Sequence, residues 1–234
     1  YKKNDIVLLP SCMTIYDELR KVNLSIVHRS VIIGSILGDG SLLKNKKSKN
    51  ARLQIGHCSK QLGYLKWKKE LLNPFVNKII EAEVPGPKII QGKNSFSSGY
   101  WICNTIAHPE ITEYHDRYYA AGKKRVIKDI IDELDLLALS IWLADDGSFH
   151  KRKECTYSLK GSIATCSFSD KEIELLMCAL SKFYKGHMSL DSYNNIISLS
   201  GTPAINDLLD KVIKILPECI HYKFAPQRLM CGTP

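Results

Sequence analysis

Ile32-Ile33-Gly34-Ser35-Ile36-Leu37-Gly38-Asp39-Gly40-Ser41 returns 107 positions later as Leu139-Ser140-Ile141-Trp142-Leu143-Ala144-Asp145-Asp146-Gly147-Ser148. Each stretch is an apolar run that ends in an acid, a glycine and a serine. The two runs, residues 31–37 and 136–144, predict two buried helices that stop at the same chemical signal. The residues after each run repeat as well. A strand pair is expected at residues 41–46 with 52–58, and again at 148–152 with 162–167. Cys58-Ser59 and Cys166-Ser167, 108 positions apart, mark the same strand-to-helix junction.

A helix is expected next in each copy. In the second, Ser169 and Glu172 form a capping box ahead of Ile173, Leu176, Met177, Leu180 and Tyr184 at helical spacing. In the first, Leu62, Leu65 and Leu72 take the same place, with Gly63 among them. A second strand pair is expected near 88–90 with 99–105, and at 187–190 with 196–200. Pro109 and Pro203 then sit where a closing helix begins, with Thr202 as the expected N-cap of the second. Ile205, Leu208, Leu209, Val212, Ile213 and Leu216 give that helix an apolar stripe. The expected fold class is α+β: a duplicated αββαββα unit with two antiparallel sheets and two central packed helices. The expected boundaries are 1–121 for the first repeat, 122–134 for a linker and 135–234 for the second repeat. A repeat of this length is a duplicated domain, not a solenoid unit.

An acid at the C-terminal end of a helix meets the negative end of the helix dipole. Asp39 and Asp146 both stand there, and a divalent cation shared by the two carboxylates and the nearby carbonyls accounts for both. Gly34 and Gly38 lie one turn apart, as do Ser140 and Ala144, and small residues at that spacing let two helices approach closely. Packed so, the helices bring Asp39 and Asp146 together at one end of the seam.

The whole chain is basic, with 33 Lys+Arg against 24 Asp+Glu and a net charge of +9 over 234 residues. That balance suits a polyanion, nucleic acid before an anionic membrane surface. No run reaches the ~18 apolar residues of a spanning helix, so no membrane partner is expected. No signal-peptide pattern opens the chain, and Tyr1 suggests a trimmed start. None of the eight cysteines stands in a C-x-x-C pair, so reduced thiols packed as small hydrophobes in a reducing compartment are expected. The seven histidines lack ligand spacing and read as structural or surface groups. Gly34–Gly40 lacks the Walker lysine and the preceding strand of a phosphate-binding loop.

The two motifs, 32–40 and 139–147, resemble those of LAGLIDADG homing endonucleases, and the αββαββα pattern extends the resemblance over about residues 25–224. It is the monomeric, two-motif, intron-encoded branch that the chain resembles most. No splicing domain accompanies the motifs, which points away from an intein. The resemblance implies a metal-dependent DNA endonuclease that cuts both strands of a long duplex site, with Mg²⁺ as cofactor and Mn²⁺ able to substitute. It implies that Asp39 and Asp146 are the catalytic metal ligands, with Gly38 and Asp145 adding backbone carbonyls. It also implies a basic residue after each closing helix. Lys123, Lys124 and Arg125 compete for the first, of which Lys124 is chosen, and Lys223 fills the second. Gln54 matches a polar strand residue that holds a water; aligning Cys58 with Cys166 puts Ser162 opposite it.

The sheets are then expected to form a DNA-binding saddle over the major groove. Expected DNA contacts are Lys44, Asn45, Lys47, Lys49, Arg52 and Gln54 in the first half and Lys151, Arg152, Lys153, Tyr157, Ser158 and Lys160 in the second. Lys88, Gln91 and Lys93, with Ser192 and Asn194, extend the footprint. A different class remains in view: a non-cleaving nucleic-acid-binding protein on the same scaffold, either an intron RNA maturase or a DNA-binding regulator. Both acids and both lysines being present argues for retained cleavage, and leaves its own intron RNA as a second partner. An organelle or a bacterial cytoplasm is the expected location.

Overall fold

The structure, a computed structural model, describes residues 11–82, 88–90, 93–95, 99–120, 122–152 and 155–224, with side chains over 15–82, 99–119, 122–151 and 158–224. The first described element is α1 (Ser11–Leu19), which the sequence pattern does not announce, followed by α2 (Ile26–Leu37). The first repeat then runs through β1 (Ser41–Leu43), β2 (Arg52–Cys58), α3 (Leu62–Leu71), β3 (Ile80–Ala82), β4 (Lys88–Ile90), β5 (Lys93–Ser95), β6 (Tyr100–Asn104) and α4 (Pro109–Tyr118). The connection holds β7 (Tyr119–Ala120), β8 (Lys123–Lys124) and α5 (Ile130–Glu133). The second repeat is α6 (Leu136–Asp146), β9 (Gly147–Arg152), β10 (Cys155–Ala164), α7 (Asp170–Leu180), β11 (His187–Asp191), β12 (Ile196–Ser200) and α8 (Thr202–Ile213), followed by a 3-10 turn, Glu218–Lys223.

Two four-stranded antiparallel sheets result, ordered β1-β2-β6-β3 and β9-β10-β12-β11. The connectivity is the same in both. Ser41 pairs with Gln54 and Ser148 with Ser162, so the register itself makes Ser162 the counterpart of Gln54. α3 and α4 cover the inner face of the first sheet, and α8 that of the second.

The motif helices fill the centre. Residues 30–37 of α2 and 138–144 of α6 are buried. A helix buried on every side needs no polar face, which is why these stretches read as unbroken apolar runs. Ser25 and His28 cap α2 reciprocally, and Asp135 caps α6 by accepting from the Ala138 N–H. The Ser30 hydroxyl donates to Asp135 Oδ2 at 2.5 Å, tying the starts of the two helices together.

The seam between them is closer than any side chain allows. A Cβ on Gly34 would stand 2.5 Å from the Ala138 carbonyl oxygen and 2.8 Å from Ile141 Cβ; one on Gly38 would stand 2.5 Å from Asp145 Cβ. Ser140 and Ala144 are the residues expected opposite these glycines. The nearest atoms come instead from Ala138, Ile141 and Asp145, spaced three and four apart along one helix stripe.

Several element boundaries differ from the sequence reading. The strand at 100–104 pairs with β3, whereas 88–90 forms a separate hairpin with β5. β10 spans Cys155–Ala164 instead of 162–167, with residues 166–168 turning toward α7. Gly201, at φ 112°, is the N-cap of α8, and Thr202 lies inside the helix, its hydroxyl accepting from the Leu159 N–H. The segment read as a linker is packed: Val126, Ile130 and Leu134 are buried, and the Val126 N–H donates to Glu172 Oε1. The capping box of Ser169 and Glu172 is present on α7.

Candidate active site and nucleic-acid interface

The ends of α2 and α6 carry Asp39 and Asp146 to one place. Their electrostatics report the crowding. Asp146 is pushed up to about 7, first by burial, then by the negative charges of Asp39 and Asp145. Asp39 is raised as well, by burial and then by Asp145. Its side chain keeps 46% of its surface in solvent. Both acids border a recess with Gly38, Lys124, Ala164, Thr165 and Cys166.

Two lysines meet these helix ends in matching positions. Lys124 Nζ donates to the Gly38 carbonyl at 2.9 Å. Lys223 Nζ donates to the Asp145 carbonyl at 3.0 Å and to the Ala144 carbonyl. Each lysine thus satisfies last-turn carbonyls of its own repeat's motif helix and offsets the negative pole there. Burial lowers the pKa of both, against the neighbouring carboxylates, which act to raise it. Lys123 is exposed, and Arg125 Nε donates to the Arg117 carbonyl. Of the three competing basic residues, Lys124 is the one the fold brings to the acids.

Asp145 has a part that the sequence reading does not give it. Its carbonyl does face the site, but its carboxylate is fully buried and engaged. Lys68 Nζ donates to both of its oxygens at 2.9 Å, and its Oδ2 accepts the Asp39 main-chain N–H at 3.2 Å. Lys68 also lies 3.2 Å from His57 Nε2 and 4.4 Å from the Tyr64 ring centroid. His57 Nδ1 is 3.6 Å from Asp39 Oδ2. Burial, and then the Lys68 charge, lower the His57 pKa to about 4, so its ring is neutral near pH 7. Asp39, His57 and Asp145 offer ligand atoms within 4.8 Å of one another. The Lys68 ammonium already neutralises Asp145, so the oxygens left for a cation are those of Asp39 and Asp146 and the carbonyls beside them.

Sequence reasoning misses His57 and Lys68. The histidines read there as structural or surface groups, and Lys68 sits among Lys66 and Lys69 as one more charge. A signal is present: under the Cys58–Cys166 alignment Lys68 falls on Leu176, a position on the core stripe of the matching helix.

Gln54 lies on the outer face of β2 with Arg52, and its Nε2 donates to Asn104 Oδ1 at 3.1 Å. Lys44, Asn45, Lys47 and Lys49 are exposed in the β1–β2 loop, where Lys44 pairs with Asp116 at 3.3 Å. In the second half Lys151 is exposed, and Ser158, Lys160 and Ser162 line the outer face of β10. Ser192 and Asn194 are exposed at the β11–β12 turn. Lys88, Lys93, Arg152 and Tyr157 lie on described strands, but their side chains are outside the described set; Gln91 and Lys153 lie outside the described residues. The Arg52 Nε is buried without a protein partner. Cys58, Cys103, Cys166, Cys178 and Cys219 are free; contrary to the small-hydrophobe reading, Cys166, Cys178 and Cys219 are exposed. Among the described residues no helix is long and apolar enough to cross a membrane.

The model of the LAGLIDADG DNA endonuclease family matches residues 29–200. A RecA protein of Mycolicibacterium flavescens is 32% identical over 142 residues, which is 58% of this chain but 30% of that protein. The match therefore covers 18–30% of the length of the RecA proteins. The cytochrome b mRNA maturase bI2 of Debaryomyces hansenii is 27% identical over 83% of this chain and 72% of its own length. A probable intron-encoded endonuclease of Wickerhamomyces canadensis is 25% identical over 75% and 74%. Among solved structures, the homing endonuclease I-WcaI bound to its DNA recognition sequence superposes with a TM-score of 0.75 at 21% identity, over 93% of this chain and 95% of that one. That likeness carries the fold: two packed antiparallel sheets around two central helices.

Proposed function

From the premise that the chain belongs to the LAGLIDADG DNA endonuclease family, we propose that it is a site-specific endonuclease that hydrolyses one phosphodiester bond on each strand of a long duplex target. The observation that carries this reading is the convergence of Asp39 and Asp146, each beside a lysine held on its own motif helix. Two equivalent acid–lysine sites suit two strands.

The residues fit a divalent metal. Hard oxygen donors converge, and the crowding that holds Asp146 near 7 is what a cation relieves. Asp39 and Asp146 would hold it with the carbonyls of Gly38 and Asp145, and it would supply water activation and charge neutralisation at the phosphate, Mg²⁺ being the proposed ion and Mn²⁺ a substitute. Lys124 and Lys223 stand within reach of the same oxygens and offset negative charge that builds on the phosphoryl group. Gln54 orients water in the first site, and Ser162 holds that register position in the second.

The outer sheet faces supply the reading surface. Arg52, Gln54, Ser158 and Lys160 point from the strands, while Lys47, Lys49, Ser192 and Asn194 reach from the loops. The lysines serve phosphates, and the amide and guanidinium groups serve base edges. The chain acts as a monomer, since both acids come from one polypeptide. A maturase role on its own intron RNA is the second reading, favoured by the likeness to the Debaryomyces hansenii protein.

The test is incubation with a randomised duplex library and Mg²⁺, followed by sequencing of cut ends. One long recurrent site with a fixed stagger is expected. Asp39→Asn and Asp146→Asn should each abolish double-strand cutting and keep binding to that site. Full cutting by either variant removes that acid from the mechanism. Intron RNA that splices only with the protein present, and no DNA cut, would favour the second reading.

A further inference from the structure

The two acid sites are not built alike, and the difference is confined to a few residues. Asp146 is the last residue of α6, so the helix itself fixes its main chain. α2 ends at Leu37, two residues before Asp39. Gly38 still donates to the Gly34 carbonyl and Gly40 to the Ser35 carbonyl, but the Asp39 N–H donates to no carbonyl of its helix. Its acceptor is Asp145 Oδ2, from the other repeat. The Asp39 backbone is therefore anchored by a carboxylate, and that carboxylate is held in turn by Lys68 through both oxygens.

The other half has no such anchor. The 107- and 108-position offsets place Gly38 opposite Asp145, Leu176 opposite Lys68 and Thr165 opposite His57. The start of α3 at Leu62 and that of α7 at Asp170 keep the same offset, as do the buried pairs Leu65 with Ile173 and Leu72 with Leu180. Lys68 and Leu176 are both fully buried at one equivalent place. An acid of the second repeat with a lysine and a histidine of the first thus answer a glycine of the first repeat with a leucine and a threonine of the second. A buried ion pair can be exchanged for apolar groups with little loss, so it is not needed to fill this space. The helix end that needs an outside acceptor is the one that has it.

We propose that Lys68 is a positioning residue for one of the two strand cuts: its buried ammonium fixes the Asp145 carboxylate, which holds Asp39 by its main-chain N–H, whereas Asp146 is held by its own helix. His57 flanks the same network, between Lys68 Nζ and Asp39 Oδ2. The inference rests on the endonuclease reading and adds to it that the two sites depend on different residues.

The experiment tracks the two strands of the bound site separately, each carrying its own end label, with the whole chain. Lys68→Leu alone leaves the Asp145 carboxylate buried without its cation and is expected to lower the melting temperature. The paired variant, Lys68→Leu with Asp145→Ala, removes both charges, keeps the Asp145 carbonyl and the Cβ packed against Gly38, and reproduces the apolar arrangement at Leu176. It is expected to melt near the wild-type temperature and to bind the site with affinity within about threefold. One strand, the same in both variants, should be cut at least tenfold more slowly, because a shift of about 1 Å at a reacting group costs on the order of 100-fold. The other strand should keep its rate within about threefold. Equal slowing of both strands, or of neither, by a folded paired variant overturns this inference while leaving the endonuclease reading intact. No cut on either strand by the wild-type protein, at a site that it binds, overturns that reading and the inference with it.

Discussion

Asp146 and His57 lie in one cluster and respond to protons in opposite senses. Asp146 keeps its proton in the folded chain up to about pH 7, while an unfolded aspartate releases it near pH 4. Its favourable contribution is fully present below about pH 4 and is lost as pH rises through 7. His57 stays neutral in the fold down to about pH 4, while an unfolded histidine takes its proton near 6.5. Its burial costs nothing above 6.5 and destabilises the fold as pH falls toward 4. Between about pH 4 and 6.5 the two slopes oppose each other in the wild-type protein. Asp146→Asn removes only the first. Without divalent ions, that variant should melt above wild type at pH 8, by about 1–3 kcal/mol in stability, with the difference closing at pH 4. Adding Mg²⁺ at pH 8 should raise the wild-type melting temperature and move the variant much less. A variant that melts at or below wild type at pH 8 would show that Asp146 is not crowded.

The lysines divide at the same scale. Lys124→Met and Lys223→Met should each slow cutting by about 10²–10³-fold with the target still bound, whereas Lys123→Met should cut at nearly the wild-type rate. Strand-labelled rates at saturating protein check this. Asp39 and Asp146 are legible because their motif occurs twice in register, 107 positions apart, whereas Lys124 and Lys223, 99 positions apart, follow only from the family resemblance, with Lys123 and Arg125 competing for the first place. Lys68 and His57 occur once. A lysine among lysines reads as solvated until the fold turns that helix face inward, and no local pattern tells a buried histidine from a surface one.

At the scale of elements the helix seam decides. Gly34 faces a backbone carbonyl, which cannot rotate away as a side-chain tip could. Gly34→Ala therefore forces the helices apart and should cost roughly 1–3 kcal/mol. Gly38→Ala meets Asp145 Cβ and should shift the anchor of Asp39 as well. Rates should fall further than stability in both, since displacement at the acids acts on chemistry more steeply than on packing. Melting curves beside cleavage rates test it, and wild-type values for both in Gly34→Ala would place the seam elsewhere. The glycine spacing is readable in sequence, but the facing stripe is not. Which residues of α6 meet the glycines depends on the rotation of that helix about its axis, and a helix apolar all round carries no face to read. The strand pairing near residue 100 fails for a related reason: β3 is only three residues long, and the segment at 88–90 closes a hairpin of its own.

The whole molecule adds the long-range field. The chain carries +9, yet three carboxylates, Asp39, Asp145 and Asp146, gather at its centre with Lys68, Lys124 and Lys223. The excess positive charge therefore lies outside the centre, along the loops and outer strands that Lys47, Lys49, Lys151 and Lys160 occupy. A duplex laid over both sheets, as proposed, would neutralise phosphates in two separate tracts, one per repeat. Binding should then release counterions in proportion, with log affinity falling by about 0.9 per phosphate for each decade of salt, a slope near −5 if roughly six are neutralised. Removing one lysine proposed to contact phosphate, Lys47→Ala or Lys151→Ala, should make the slope shallower by about one and weaken specific and random duplexes alike. Arg52→Ala should instead weaken the specific duplex more than a random one, because a guanidinium on the strand face reads base edges as well as charge. Titrations between about 50 and 200 mM salt with specific and random duplexes separate the two classes. A flat slope for the wild-type protein would mean that the basic surface does not face the duplex, and the two sheets would then need another role.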